Sequence, residues 1–262
     1  AVSCRDMRRL ALLVLSFAPA CRPAHDERPE LVVYAAASLR DVLQELAPAA
    51  EAGSDARLVF NFGSSGDLAR QILAADAADL FFSADEREME RVASAGRIEP
   101  ATRRALLANE LVVIEPADER PSLFRTPFEP AQLADLPQVS LADPESVPAG
   151  RYARAWLEAR GAWAAVAPKV VPAVDVRAAL AAVESGALRA GIVYRTDAAR
   201  STRVRVVFAV PSTEGPEIRY PLAVLKGRPE AGRARELALY LASEEALAVF
   251  ARHGFVPLRR AD

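Results

Sequence analysis

Leu31-Val32-Val33-Tyr34-Ala35-Ala36-Ala37-Ser38-Leu39 is the stretch that decides the fold class of this chain. Its apolar run over 31–37 predicts a buried strand, and the apolar spacing over 38–51 predicts a helix directly after it. The next elements repeat that order, with strand 57–62, helix 65–75, strand 79–82 and helix 85–95. Repeated strand–helix–strand units are typical of α/β proteins, so we expect a mixed, mostly parallel sheet flanked by helices.

The second half of the chain predicts a further sheet of the same kind. Strand 111–115 is followed by a proline-rich loop, after which a new series of units begins. Its predicted elements are strand 138–141, helix 150–160, strand 169–172, helix 175–185, strand 190–194, strands near 204–209 and 218–225, and helical segments 229–241 and 243–252. The series of strand–helix units is interrupted after strand 111–115, and near 205–220 the chain returns towards the first series. This pattern predicts two lobes joined by crossing strands. We expect lobe 1 at 30–110 plus 209–262 and lobe 2 at 111–208, with a ligand cleft between them.

The N-terminal segment predicts export from the cytoplasm. Met7 is followed by two arginines, the apolar run 10–18 and the small residues Ala18-Pro19-Ala20, which together are typical of a secretory signal peptide. The apolar run is too short to span a bilayer as a helix. We therefore expect residues 1–20 to be an export signal that starts at Met7, and residues 21–29 to be a tail before the fold.

Cys21 directly follows the predicted cleavage site. It is a candidate for lipidation, which would anchor the protein to the membrane, and ordinary cleavage that leaves a free cysteine is the alternative. The other cysteine, Cys4, lies in the segment that is removed, so we expect no structural disulfide. In either case we expect the protein in the periplasm or the cell envelope.

Composition and charge exclude one class of partner. The 262 residues are 52% hydrophobic and 26% charged, which is typical of a soluble globular protein. The 33 Lys and Arg residues nearly balance the 35 Asp and Glu residues, and the net charge is −2. A nucleic-acid partner would require a basic face, so we expect none.

Strand-to-helix junctions are the places where such a fold would bind an anion, because free N–H groups and the helix dipole attract negative charge there. Ser38 ends the first strand behind three alanines, and Ser64-Ser65 lies between two glycines after the second strand. Ala149 and Val176 lie at the starts of two later helices, and Tyr194 ends a strand. Taken alone, each feature is explained at least as well by helix capping, a flexible turn or a core tyrosine.

Together these junctions supply only uncharged hydrogen-bond donors. Such a set suits a fully ionised oxyanion, which accepts hydrogen bonds and donates none. A protonated phosphate would need an acceptor that the key positions do not provide. We do not expect an enzyme, because His25 and His253 lie near the chain ends and the sequence has no metal-ligand spacing, nucleophile elbow or Walker loop.

Seven motifs, in order along the chain, resemble the periplasmic molybdate-binding proteins. They are AAASL (35–39), FGSSGDLAR (62–70), ADLFFSAD (78–85), NELVVI (109–114), DPESVPAGRY (143–152), DVRAAL (175–180) and GIVY (191–194). The resemblance runs from about Leu31 to Leu258. It implies a two-lobed type II periplasmic-binding-protein fold that closes on molybdate or tungstate and delivers the anion to an ABC permease. No cofactor or free metal cation is implied, and we expect a monomer.

The resemblance also implies which groups bind the anion. They are the hydroxyls of Ser38, Ser65 and Tyr194 and the backbone N–H groups of Ala149 and Val176. Members of the family often have three serines in the second motif, so Ser64 stays open as an alternative donor to Ser65. Two other functions also stay open: a receptor for sulfate or another tetrahedral oxyanion, and a secreted serine hydrolase that uses Ser38 or Ser65.

Overall fold

The computed structural model describes residues 28–75 and 77–258. The predicted export signal, the lipidation candidate Cys21 and the residues Cys4 and His25 lie outside this range, as does most of the predicted tail 21–29. Within the described residues, none of the helices has the length and apolar character that a membrane crossing requires.

Strands and helices alternate along the described chain, largely where the sequence predicts them. The strands are β1 (Glu30–Ala36), β2 (Arg57–Gly63), β3 (Leu80–Phe82), β4 (Arg104–Asn109), β5 (Leu111–Pro116), β6 (Val139–Ala142), β7 (Val170–Ala173), β8 (Gly191–Tyr194), β9 (Val204–Ala209), β10 (Ile218–Val224) and β11 (Val256–Pro257). The α-helices are α1 (Arg40–Ser54), α2 (Ser65–Ala74), α3 (Glu86–Ser94), α4 (Pro148–Ala159), α5 (Trp163–Val166), α6 (Val176–Glu184), α7 (Arg195–Ala198), α8 (Ala231–Leu241) and α9 (Glu244–Arg252). Short 3₁₀ helices cover Ala37–Leu39, Pro100–Thr102, Pro130–Asp135 and Ala167–Lys169. Strands β4 and β11 and helix α5 are not predicted from the sequence.

The described residues form a first sheet of six strands in the order β11-β4-β10-β3-β1-β2. β1 pairs in parallel with β2 and β3, whereas β10 pairs antiparallel with β3 and β4, and β11 pairs antiparallel with β4. The strands of this sheet come from residues 30–109 and 218–257.

The second sheet has five strands in the order β7-β6-β8-β5-β9, all from residues 111–209. β6 pairs in parallel with β7 and β8, and β5 pairs antiparallel with β8 and β9. The predicted α/β class with two helix-flanked sheets is confirmed. The sheets are less parallel than expected, because strands that enter from the other sheet run against their neighbours, and five of the nine described strand pairs are antiparallel.

Within residues 28–75 and 77–258, the chain passes between the two sheets twice. β4 ends at Asn109 and β5 begins at Leu111, so Glu110 alone separates strands of different sheets. The return runs from Ala209 at the end of β9 to Ile218 at the start of β10. Glu110 and residues 210–217 are therefore the connections between the two sheets within the described chain.

Apolar side chains on both faces of β1 explain why helices cover the first sheet on each side. Val33 belongs to the main core, together with Leu43 and Leu46 from the buried face of α1. Tyr34 points to the opposite face, where it packs in a second cluster with Leu68 of α2. This double burial is what the continuous apolar run of β1 predicts.

Candidate functional site

All five residues that are predicted to bind an anion line one cavity between the two sheets. Ser38, Ser65, Ala149, Val176 and Tyr194 are each at most 4% exposed. The other lining residues are Ala36, Ala37, Gly63, Ser64, Ala84, Val147, Pro148 and Asp175. The cavity is small, with a volume of about 10 Å³, which favours a compact occupant over an extended one.

Strand direction brings these residues together, since the carboxyl ends of parallel strands meet at the same edge of a sheet. Ser38 follows β1, and Ser65 follows its parallel neighbour β2. Ala149 follows β6, Val176 follows β7 and Tyr194 ends β8, and β6 is the parallel neighbour of the other two strands. The cavity therefore receives groups from both sheets.

The two serines after β2 use their hydroxyls differently. Ser64 is the N-cap of α2, where its Oγ accepts the Asp67 N–H at 3.2 Å and donates to the Asp67 Oδ2 at 2.8 Å. The Ser64 hydroxyl therefore uses its proton within the helix cap and does not offer it to the cavity. The Ser65 Oγ accepts the Ala84 N–H at 2.9 Å, which leaves the proton of Ser65 free to donate into the cavity.

Ser38 does not cap the helix that follows it, although the sequence makes it a natural N-cap. It lies inside the 3₁₀ turn Ala37–Leu39, and α1 begins after Leu39 without a side-chain cap. The Ser38 Oγ instead lies 3.0 Å from the hydroxyl of Tyr220, a fully buried residue of β10. Because the 3₁₀ turn separates Ser38 from the start of α1, its hydroxyl stays on the cavity wall.

Two backbone N–H groups of the cavity wall belong to the first turns of helices. Ala149 is the second residue of α4 and Val176 is the first residue of α6, and the first four N–H groups of a helix have no partner within it. Asp175 caps α6 by accepting the Ala178 N–H at 2.8 Å. Gly150 allows α4 to start beside β6, because a Cβ at Gly150 would lie 2.1 Å from the Ala142 carbonyl oxygen.

The Tyr194 hydroxyl is buried in the cavity wall and has no hydrogen-bond partner within the described part of the chain. The residue is 1% exposed, and burial raises the pKa of its hydroxyl well above the usual value. The group therefore keeps its proton and acts as a donor. A buried polar group without a partner is unfavourable, and a ligand that accepts its hydrogen bond would remove that penalty.

No lysine, arginine or histidine is among the described lining residues, and Asp175 is the one charged side chain there. Arg177, the neighbour of Val176 in sequence, forms ion pairs with Asp41 and Asp197. Cationic side chains from the described part of the chain therefore do not line this cavity. Attraction for an anion comes from hydroxyls, N–H groups and helix N-termini.

The described residues form neither a cluster of metal ligands nor a serine–histidine pair at the cavity. Among the described residues, no group of three or more His, Cys, Asp and Glu side chains could hold a metal ion. His253 does not line the cavity, and its ring nitrogens lie 2.6 Å from Glu45 and 3.1 Å from Arg200. Ser38 and Ser65 therefore have no histidine from the described chain beside them to act as a base.

Sequence reasoning missed the residues that support the cavity wall from behind. Tyr220 lies behind Ser38, and Asn109 donates to the Tyr220 hydroxyl at 3.2 Å. The apolar run 218–225 predicts a strand but carries no sign of the partner that its tyrosine meets. Asn109 is visible in the sequence only as the polar residue that opens the NELVVI motif.

Two helix-flanked α/β sheets, joined by two short crossings and with a small cavity between them, are the architecture of a solute-binding protein. The model of the bacterial extracellular solute-binding protein family matches residues 31–256. The chain therefore belongs to that family and is not an enzyme.

Named relatives confirm the resemblance that the motifs indicate. The molybdate-binding protein ModA of Escherichia coli (strain K12) is 39% identical, over 92% of this chain and 94% of its own length. The Bacillus subtilis (strain 168) protein YvgL, whose name places it among ABC transporter substrate-binding lipoproteins, is 36% identical over 88% of this chain and 87% of its own length. The solved periplasmic molybdate-binding protein of Azotobacter vinelandii shares the fold, with a TM-score of 0.76 and 23% identity, and the match covers 88% of this chain and 100% of that one.

Proposed function

We propose that this chain captures molybdate or tungstate outside the cytoplasm and delivers the anion to an ABC permease. The observation that carries the proposal is the convergence of uncharged donors from both sheets on one small cavity. The identity of 39% to a protein named for binding molybdate supports that particular anion. No cofactor is needed, because the hydroxyls and N–H groups of the protein supply the contacts.

The donor set favours a fully ionised oxyanion over a protonated one. Each hydrogen bond to a charged acceptor contributes about 1.5–3 kcal/mol. The helix N-termini at Ser65, Ala149 and Val176 add about 0.3–1 kcal/mol each. An oxyanion that carries a proton would place its own donor against these donors. Asp175, the one carboxylate of the described lining, accepts the Ala178 N–H as the cap of α6.

We propose that the two sheets are the cores of two lobes, 30–110 plus 209–262 and 111–208. Sheet membership supports these limits to within one residue, because Ala209, which the limits give to the first lobe, still pairs with Val112 in the second sheet. An anion held by groups from both sheets stabilises the closed arrangement. Arg151 of α4 adds a link between the sheets, because it pairs with Glu88 of α3 at 3.1 Å.

We propose a monomer in the periplasm or cell envelope, lipid-anchored through Cys21. The predicted export signal and the extracellular class of the family support the location. The lipoprotein name of YvgL supports the anchor. Mass spectrometry of the N-terminal peptide from membrane fractions tests the anchor, since a diacylglyceryl mass on Cys21 is expected and an unmodified cysteine contradicts it. Light scattering of the purified protein tests the monomer.

Parallel calorimetric titrations with molybdate, tungstate and sulfate test the function. We expect saturable heat at one anion per chain for molybdate and tungstate, and no displacement of either by equimolar sulfate. Absence of saturable heat with both metal oxyanions would reject the proposal. Tighter binding of sulfate would reject it in favour of a sulfate receptor.

A further inference from the structure

Behind Ser38, three buried polar side chains form a connected series that does not itself line the cavity. The Ser38 Oγ lies 3.0 Å from the Tyr220 hydroxyl, and the Asn109 Nδ2 lies 3.2 Å from that hydroxyl. The same Nδ2 lies 2.9 Å from the Thr196 Oγ1. Tyr220 is 0% exposed, Asn109 8% and Thr196 1%, so water is largely excluded from the series.

The direction of the hydrogen bond between Asn109 and Tyr220 follows from the chain itself. The backbone N–H of Glu110 lies 2.9 Å from the Asn109 Oδ1, and an N–H group can only donate. That contact fixes which end of the Asn109 amide is the oxygen. The other end is the NH₂ group, so Asn109 donates to the Tyr220 oxygen.

The direction of the next hydrogen bond follows from the count of protons. The phenol has one proton, and Ser38 and Asn109 are its hydrogen-bond partners within the described chain. Burial raises the pKa of the Tyr220 hydroxyl, so the proton stays on it. If Ser38 donated to Tyr220, that phenolic proton would be buried without an acceptor, which is unfavourable. Tyr220 therefore donates to the Ser38 oxygen.

We propose that Tyr220 and Asn109 are positioning residues that fix the hydroxyl of Ser38 as a donor towards the cavity. The inference rests on the proposed function of this cavity as an oxyanion site. Because the Ser38 oxygen accepts a hydrogen bond from Tyr220, the Ser38 hydroxyl proton is directed into the cavity. Ser65 is set in the same way by the Ala84 N–H. Both serines then meet the ligand with protons, which selects oxyanions that carry none.

A double-mutant cycle on molybdate affinity tests this role, because it isolates the coupling between two residues. We expect Ser38→Ala to weaken binding about 10- to 100-fold, and Tyr220→Phe to weaken it about 3- to 10-fold in the wild-type background. In the Ser38→Ala background, Tyr220→Phe should change affinity by less than about twofold. Equal losses in both backgrounds would show that Tyr220 acts through general packing and would overturn the inference.

Anion selectivity gives a second measurement, which a purely structural role would not move. Without Tyr220 as a donor, the Ser38 oxygen is free to accept from a ligand. We expect Tyr220→Phe to raise the ratio of the affinity for monohydrogen arsenate to the affinity for molybdate by at least about threefold, as measured in competition titrations. An unchanged ratio would overturn the inference.

Control variants keep the two proposals separable. Tyr34→Phe removes a phenol on the opposite face of the same sheet and should leave affinity unchanged. If Tyr220→Phe unfolds, Asn109→Leu interrupts the same series at a similar side-chain volume and enters the same cycle against Ser38→Ala. Wild-type protein without saturable molybdate heat would reject the proposed function. Molybdate binding together with an additive cycle would reject only the role of Tyr220 and Asn109.

Discussion

The carbonyl oxygen of Ser146 lies directly against Gly66, and a Cβ built on Gly66 would stand 2.3 Å from that oxygen. Gly66 lies in the first turn of α2, which follows β2 of the six-stranded sheet, and Ser146 precedes α4 of the other sheet. The backbones of the two halves therefore touch beside the cavity, where no side chain fits.

Gly66→Ala should hold the two halves apart. The obstructing atom belongs to the backbone and cannot swing aside as a flexible side chain does, so the contact has to open. We expect molybdate affinity to fall at least about tenfold, or about 1.4 kcal/mol. Calorimetry measures the affinity, and small-angle scattering should show that excess molybdate contracts the variant less than the wild type.

Gly53→Ala is the matched control for this prediction. Gly53 lies in the last turn of α1, and a Cβ there would meet no atom of the described residues within 4 Å. We expect unchanged affinity and a free energy of unfolding higher by up to about 0.5–1 kcal/mol, since alanine favours a helix over glycine. Wild-type affinity in Gly66→Ala would show that binding does not need the close contact between Gly66 and Ser146.

Substitutions of Ser64 and Ser65, which lie next to each other at the start of α2, should affect different properties: the first should affect stability and the second ligand binding. Ser64→Ala removes the helix cap and should lower the free energy of unfolding by about 1 kcal/mol, while affinity changes by less than about twofold. Ser65→Ala removes a donor to the anion and should weaken binding by about 1.5–3 kcal/mol. Chemical denaturation and calorimetry on both variants check this. The reverse pattern would make Ser64 the ligand donor.

The sequence predicts the strands that carry the site better than those that link the sheets. β1 is an uninterrupted apolar run that ends in small residues, and its strand, helix and ligand edge are all readable. β4 is not predicted, because its alanines and leucines favour a helix and only pairing with β10 and β11 holds them extended. Non-local pairing of this kind leaves no local signal.

The candidate site shows the same division between local and non-local information. Asp175 is readable as a helix cap because capping is a contact across three residues. The partner of Ser38 is not readable, because Tyr220 lies 182 residues further along the chain and meets it only through the sheet. Local chemistry thus identifies the ligand-facing groups, whereas tertiary structure decides how their protons point.

Tyr194→Phe should weaken binding without weakening the fold. The phenol oxygen is buried and has no partner within the described residues, so its loss removes one donor to the anion and no described internal hydrogen bond. We expect affinity to drop by about 1.5–3 kcal/mol while the thermal midpoint of the anion-free protein does not fall. Tyr240→Phe on α8 is the control for the loss of a phenol. A lower midpoint with unchanged affinity would remove Tyr194 from the site.

Asp197 should make stability depend on pH between about 4 and 7. It is 0% exposed, and burial raises the pKa of its carboxyl to about 7 against the opposing effect of Arg177. The Arg177 Nε lies 2.7 Å from the Asp197 Oδ1, yet the two atoms do not meet hydrogen-bond geometry, so the ion pair offsets burial only in part. Asp41 and Asp175 raise this pKa further, and Arg200 lowers it.

The sign of the pH effect follows from proton binding. Between the unfolded pKa near 4 and the folded pKa near 7, folded Asp197 holds a proton that the unfolded chain releases, so its contribution to stability falls as pH rises. Asp197→Asn removes this loss. We expect the free energy of unfolding of Asp197→Asn, relative to that of the wild type, to rise by up to about 1.4 kcal/mol per pH unit from pH 5 to 7. Urea denaturation at several pH values measures the difference, with Asp118→Asn at an exposed position as the control. Parallel curves for wild type and Asp197→Asn would mean that the ion pair with Arg177 outweighs burial and keeps the carboxyl ionised throughout.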